Sequence, residues 1–288
     1  MNRPIDKSIF LQQQFDDFDH FAETIQGWDL DFRQLDSGSF RSDLKQVETD
    51  TLLLTKALFN RRLEQRGGIP AKGWTFAILA RSSPDIVWHQ QRVSDRMLMI
   101  YPPGSEVDAV SPPGFHVLTI SIDGDILNGW NKIHRIDNHL NHRRKGFVYR
   151  VETSTLTAIR FTANRLLMAD NIAEPGEKAL SKDVQSVILD ALSEGVYKEV
   201  KLCHEKRSKM MRSLMDYIDA HLDDHITLMD LCTVTGISPR TIQRAFRERL
   251  GVTPKTYIKA QRLNHVRQDL KKQNHPRTMV ADIANRWG

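Results

Sequence analysis

Two cysteines in 288 residues, Cys203 and Cys232, are too few for a disulfide framework or a four-thiolate zinc site. No stretch approaches the roughly 18 consecutive apolar residues that a membrane span requires. Met1 to Asp19 is polar, and acidic from Asp16 on, with no apolar core of a secretory signal. Motifs of familiar chemistry are missing as well. There is no Gly-x-Ser-x-Gly elbow and no phosphate loop ending in Gly-Lys-Ser/Thr, and Gly124 and Gly129 make no dinucleotide fingerprint. Low-complexity tracts are absent. These gaps leave a reduced, cytosolic protein with no membrane segment, no cofactor and no enzymatic signature as the expectation.

Hydrophobic residues make up 40% of the chain and charged residues 27%, an ordinary globular balance, and the length suits about two domains. The net charge of +5 conceals a split: residues 201–288 hold 17 Lys and Arg against 9 Asp and Glu, a net +8, and residues 1–200 hold 24 against 27, a net −3. A basic last third on a mildly acidic body suggests a polyanion-binding module.

Residues 28–122 read mostly as strands. Trp28–Phe32 and Phe40–Leu44 alternate in part, and Asp36-Ser37-Gly38-Ser39 between them has hairpin chemistry. Apolar runs follow at Thr51–Phe59, Trp74–Ala80, Met97–Tyr101 and His116–Ile122, separated by Arg66-Gly67-Gly68, Ser82-Ser83-Pro84-Asp85, Pro102-Pro103-Gly104 and Pro112-Pro113-Gly114. Many short strands with such punctuation predict a β-sandwich or small barrel. Trp28, Trp74, Trp88 and Trp130 fall in this part, where aromatics could line a site for an apolar or aromatic effector; core packing is the commoner role. From Val151 the pattern turns helical. Leu156, Ile159, Ala163, Leu166 and Leu167 share one face, and Leu180, Val184, Val187, Ile188, Ala191 and Leu192 another. His134, His139 and His142 lack metal-ligand spacing and read as surface residues, and His116 as structural. Charged Glu205–Lys209 reads as a linker or domain boundary, dividing the chain into domains 1–204 and 205–288.

The informative stretch begins at Ile226. Thr227–Thr235 reads as a short helix with Leu228, Leu231 and Cys232 on one face, stopped by Gly236. Ser238 is an N-cap and Pro239 sits at the first helical position, opening a helix from Arg240 to Leu250 that ends at Gly251. Helix, glycine turn and capped helix form a helix-turn-helix pattern. Ile242 and Phe246 take its buried face, and Arg240, Thr241, Gln243, Arg244 and Arg247 the exposed one. Arg matches guanine O6 and N7, and Gln matches adenine N6 and N7, each good pair giving roughly 1–3 kcal/mol of discrimination. Val280–Gly288 overlays Leu228–Gly236 at an offset of 52 residues, pairing Asp282 with Asp230, Ile283 with Leu231 and Ala284 with Cys232. Two units thus flank a predicted helix over Lys255–Lys272.

These residues carry a resemblance. Ile226–Tyr257, above all Gly236-Ile237-Ser238-Pro239-Arg240-Thr241-Ile242-Gln243-Arg244-Ala245-Phe246 and Leu250-Gly251-Val252-Thr253-Pro254, resembles the DNA-binding domain of the AraC/XylS family of bacterial transcription regulators; the likeness extends over Met210–Gly288. It implies an α+β chain: an N-terminal cupin-like β-barrel or sandwich with packed helices, for sensing and dimerisation, then an all-α domain of two helix-turn-helix units joined by a linker helix. It implies base contacts from Arg240, Thr241, Gln243 and Arg244, phosphate contacts from Arg247, Lys255 and Ser238, and Cys232 as a small buried hydrophobe. The implied partners are double-stranded promoter DNA, RNA polymerase, a second copy of the chain through its N-terminal region, and a small-molecule effector. Against the family pattern the sequence stops at Gly288, at the turn of the second unit, before a second recognition helix and a last packing helix. Weaker DNA binding than that of a complete version is the expectation. The competing reading is a metal-free cupin-type enzyme or small-molecule binding protein with a helical tail.

Overall fold

The structure, a computed structural model, describes residues 9–70, 73–134, 146–169, 174–193, 198–199, 205–272 and 280–287. His139, His142 and Cys203 lie outside these residues. Two antiparallel sheets form the N-terminal part. The larger contains, in spatial order, β1 (Ile9–Phe15), β3 (Ser42–Glu48), β4 (Leu52–Phe59), β11 (Phe115–Asp123), β6 (Gly73–Leu79), β9 (Met97–Tyr101), β12 (Phe147–Arg150) and β13 (Lys198–Glu199). The smaller contains β2 (Asp29–Gln34), β5 (Leu63–Gly68), β10 (Glu106–Ser111), β7 (Ile86–Trp88) and β8 (Gln91–Val93). The expected antiparallel β-domain is present.

Each sheet face has its own layer. Between the sheets lies an aromatic core of Phe15, Phe32, Phe59, Trp88, Tyr101 and Phe115, with Phe18 and Phe21 added by helix α1 (Phe18–Thr24). Edge-to-face ring pairs such as Phe21–Phe59 at 5.1 Å fill it. The opposite face of the larger sheet packs on α2 (Gly124–His134), α3 (Thr153–Leu167) and α4 (Glu174–Ser193). The stripes read in the sequence face this layer: Leu156, Ile159, Ala163, Leu166 and Leu167 of α3, and Leu180, Val184, Ile188, Ala191 and Leu192 of α4, are buried, and Val187 is partly so. Strand β6 is buried along its whole length. Trp74, Phe76 and Ile78 point to the helices and Ala77 and Leu79 into the aromatic core, so its apolar run is continuous.

Three local expectations give way. Asp36–Ser39 is not a hairpin turn, because β2 pairs with β5 and β3 with β1 and β4; the segment carries the chain from one sheet to the other. Arg66-Gly67-Gly68 is no separator but the end of β5. Gly67 there has φ 137°, and a Cβ would stand 1.9 Å from the Asp29 carbonyl oxygen, so glycine is required by a close strand approach. Of the two readings of Glu205–Lys209, the linker gives way: the segment is the first turn and a half of α5 (Glu205–Ala220). His116 sits within β11, with its pKa lowered by burial and by Lys56.

Beyond α5, α6 (Leu228–Thr235), α7 (Pro239–Leu250), α8 (Pro254–Lys272) and α9 (Val280–Arg286) complete the described helices. Met211, Leu214, Met215, Ile218 and Leu222 of α5 share a core with Leu231, Ile242, Phe246, Leu250 and Tyr257. Leu35 and Val110, which flank the smaller sheet's outer face, belong to that same core. No described helix is long and apolar enough to cross a membrane.

Candidate nucleic-acid interface

Local chemistry fixes the α6–α7 unit. Thr227 and Asp230 form a reciprocal capping box: Thr227 Oγ1 accepts from the Asp230 amide at 3.3 Å, and the Asp230 carboxylate accepts from the Thr227 amide at 2.7 Å. Gly236 ends α6 in the left-handed region at φ 67°. Two residues on, Ser238 Oγ accepts from the Thr241 amide at 3.4 Å and Pro239 opens α7. Gly251, at φ 71°, closes it. The sharp stop and start bring α7 across α6 with Ile242, Ala245, Phe246 and Leu250 inward, and Phe246 meets Tyr257 of α8 edge to face at 5.6 Å.

The opposite face of α7 is open. Arg240, Arg244 and Arg247 are exposed, and Thr241 and Gln243 are half-buried at its margins. Arg244 is 67% exposed and reaches Glu248 only at 3.8 Å. The 12 residues of α7 span about 18 Å at ~1.5 Å per residue, with a basic stripe narrow enough for a major groove ~12 Å wide. The structure therefore brings Arg240, Thr241, Gln243, Arg244 and Arg247 together on one helix. Ser238 is exposed at its start, engaged as the cap, and Lys255 is exposed in the first turn of α8. Cys232 is half-buried beside the domain core. The second unit contributes α9, where Ile283 is buried as Leu231 is in α6. Trp287 stacks on His265 at 4.5 Å, and its Nε1 donates to Asp269 at 2.9 Å, tying α9 to α8.

A second set of polar residues went unread in the sequence. Arg249 points to the β-domain and bonds both Asp108 oxygens, at 2.8 and 3.0 Å. It follows Ile242 by seven and Phe246 by three, so helical spacing puts it on the buried face of α7, a signal that was available. Glu64 of β5, only 1% exposed, receives Arg66 at 2.7 Å, the Tyr257 hydroxyl at 3.2 Å and Gln261 Nε2 at 3.3 Å. Burial, and then Glu64, push the Tyr257 pKa up, so the phenol remains a donor. Arg33 reaches Gln261 Oε1 at 2.9 Å and Asp219 at 3.5 Å, and Asn264 donates to the Gln34 carbonyl at 3.1 Å. Asp17 and Asp19 of the α1 start bind Arg267 and Lys271. No local pattern announces Glu64 or Asp108 as docking residues, because their partners in the helical domain are over a hundred residues away.

Fold and face together define a β-domain protein carrying a helix-turn-helix DNA-binding domain. Comparison with known proteins specifies which kind. Residues 231–288 match a family described as a helix-turn-helix domain. A curated relative, "Probable thc operon regulatory protein" of Rhodococcus erythropolis, is 27% identical over 131 residues, 42% of this chain and 39% of that protein. The transcriptional activator RhaS of Enterobacter sp. (strain 638) is 27% identical over 146 residues, 49% of this chain and 48% of that one. The chain thus spans less than half the length of these relatives. The crystal structure of the AraC-like transcriptional activator CuxR aligns with a TM-score of 0.48 at 11% identity, covering 96% of this chain and 100% of that one. Residues 231–288 of this chain are thus a helix-turn-helix domain similar to those of transcription regulators.

Proposed function

We propose that this chain is a non-enzymatic, effector-responsive transcription regulator of the cytoplasm that reads double-stranded promoter DNA. The observation that carries the reading is the open basic face of α7, held rigid by a cap at each end. In this reading Arg240, Thr241, Gln243 and Arg244 read base edges in the major groove, and Arg247, Lys255 and Ser238 position the backbone. Phosphate neutralisation releases counterions, so affinity falls with salt at a slope of about −0.9 per phosphate contacted. The N-terminal region joins two copies, and RNA polymerase is the partner at the promoter.

The effector site is the small cavity, about 50 Å³, between the sheets. Trp28, Phe32, Phe59, Met99 and Phe115 line it, with Thr119 and Gln65 as polar points and no charged side chain. Trp28 Nε1 and Thr119 Oγ1 are buried without a hydrogen-bond partner. A neutral, largely apolar molecule with a polar atom suits that lining.

Selection from a random duplex library with the full chain tests the regulator reading. Enrichment of a defined site is the expected result, and a chain that enriches none is not a sequence-specific regulator. Arg244→Ala should relax preference at one base position by about 1–3 kcal/mol, whereas Lys255→Ala should weaken all sequences alike. An unchanged site preference in Arg244→Ala would remove its base-reading role.

A further inference from the structure

The two sheets differ in what covers their outer faces. In the smaller sheet, β5 and β10 turn Gln65 and Ala109 inward as one cross-strand pair, and Glu64, Arg66 and Asp108 outward on either side of it, onto the helical domain. In the larger sheet, strand register divides the outer face into rows. Phe10, Val47, Leu54 and Ile120 stand opposite one another across β1, β3, β4 and β11, and pack with the helical layer of α3 and α4. Two residues along, on the same face, the chemistry changes. Gln12, Lys45 and Lys56 form that row, and Gln14, Asp43, Leu58 and His116 the one beyond. These residues line an open groove of about 440 Å³, within the size range of ordinary ligand sites. The groove lies across the sandwich from α5, α7 and α8, and shares no lining residue with the cavity between the sheets.

Lys45 and Lys56 are directly opposed across β3 and β4, a like-charge pair that destabilises a sheet. Both are half-buried and held in place. Lys45 Nζ lies 4.8 Å from the centroid of the Phe10 ring, and Lys56 Nζ donates to Asn164 Oδ1 of α3 at 3.1 Å. Asn164 is itself fixed, because its Nδ2 donates to the Arg160 carbonyl at 2.7 Å. A neutral acceptor therefore orients Lys56 and leaves its charge in place; among the described residues Lys56 forms no ion pair. Asp43, the carboxylate of the groove, accepts from Gln14 Nε2 at 2.6 Å instead. Burial, and then Lys56, lower the His116 pKa from 6.5 against the opposing pull of Asp43, so at pH 7 this ring is a neutral hydrogen-bonding group. A repulsive lysine pair set in fixed geometry within a ligand-sized concavity calls for a counter-charge from outside the chain.

We propose that this groove binds a small hydroxylated anion. Lys45 and Lys56 hold its phosphate or carboxylate from adjacent strands by charge-assisted hydrogen bonds, and the anion relieves their repulsion. Asp43 disfavours a bare polyanion and accepts from hydroxyl groups, which Gln12 and Gln14 also match. The site uses none of the DNA-reading side chains, so it goes beyond the regulator reading and does not rest on it.

Melting curves and calorimetric titration of the full chain at about 0.15 M salt test the proposal. Glucose 6-phosphate and gluconate carry the two anionic groups, and glucose is the uncharged control. Stabilisation by either anion but not by glucose is expected, and the anion that acts tells phosphate from carboxylate. Lys56→Gln is the decisive variant, because its two effects have opposite signs. Without ligand it relieves the repulsion and should raise the melting temperature by about 1 °C. With ligand it should weaken binding about tenfold. Lys45→Gln repeats the test from the facing strand if Lys56→Gln fails to fold. Arg244→Ala, on the open face of α7, should bind the anion as the parent chain does. No stabilisation by either anion, equal stabilisation by glucose, or unchanged affinity in both lysine variants overturns the site. So does a loss in Arg244→Ala, which would put the anion on the DNA face. Duplex DNA affinity that falls in Lys56→Gln as far as anion affinity does would assign the lysines to the DNA backbone, and overturns it as well.

Discussion

The helix-turn-helix domain has two sets of cations, carried on the same helices and opposite in fate. Arg240, Arg244 and Arg247 of α7 face solvent, and Arg244 reaches Glu248 only at 3.8 Å. Arg249, two residues beyond Arg247, is 9% exposed and held by both oxygens of Asp108, and Arg267 and Lys271 of α8 are held by Asp17 and Asp19. Arg262 is spent on the Leu222 carbonyl, at 2.9 Å. The excess of +8 in residues 201–288 is therefore not all surface for a polyanion. Part of it fastens the domain to an acidic body, and the net −3 of residues 1–200 has a structural counterpart in Asp17, Asp19, Glu64 and Asp108. Composition reports the sum of two uses, and only geometry separates them.

The sharpest way to break that division is to compare neighbours. Arg249→Ala should cost about 2 kcal/mol of stability, because it strips an ion pair in which one buried guanidinium nitrogen meets both Asp108 oxygens, and Arg247→Ala should stay within about 0.5 kcal/mol while weakening DNA binding. Urea unfolding of the two variants decides it; equal losses would erase the distinction between the sets. A smaller effect is expected at Ser238. Removing its cap oxygen in Ser238→Ala should cost about 1 kcal/mol and fray the first turn of α7, which presents Arg240 and Thr241. Amide exchange at Thr241 and Ile242 reads that fraying, and unchanged protection there would mean the cap does not hold the open set in place. The smallest expected effect concerns acid. Burial pushes the Asp17 pKa up, but hydrogen bonds from Lys271, Arg267 and the Asp19 and His20 amides outweigh it and hold the carboxyl well below its ordinary 3.8. A depressed folded-state value stabilises above the unfolded value and is lost as pH falls below about 4. Asp17→Asn should therefore lower the melting temperature at pH 7 and matter progressively less under acid, provided the amide leaves α1 intact. A difference from the parent that is the same at pH 3 and pH 7 would contradict this.

How legible each region was follows from how local its forces are. The ends of α6 and α7 are set by Thr227, Gly236, Ser238, Pro239 and Gly251, each acting within four residues, and they lie within one residue of where the sequence put them. The repeat likewise located α9. Strands β6, β9 and β11 announced themselves by apolar runs, as interior strands do. Strands β5 and β10 did not. Their outward positions carry Glu64, Arg66 and Asp108 for a distant partner, and Glu64 is itself buried, so no run of apolar residues marks these strands. Strand β1 and helix α1 escaped notice because Gln12, Gln13 and Gln14 hide the one and the brevity of Phe18–Thr24 the other. Among the functional residues, the open face of α7 follows from helical periodicity alone, and the docking face needed the fold.

The inward and outward rows of β5 and β10 also set a genetic constraint. One residue inserted anywhere before Glu64 within β5 would turn Glu64 into the aromatic core and Gln65 onto α8, exchanging a carboxylate for an amide on both sides at once. Substitutions at either face can be absorbed singly, but a change in strand length cannot, because two readers share one numbering. Lineages of this domain should therefore diversify by replacement in these two strands, and confine insertions and deletions to the connections between them.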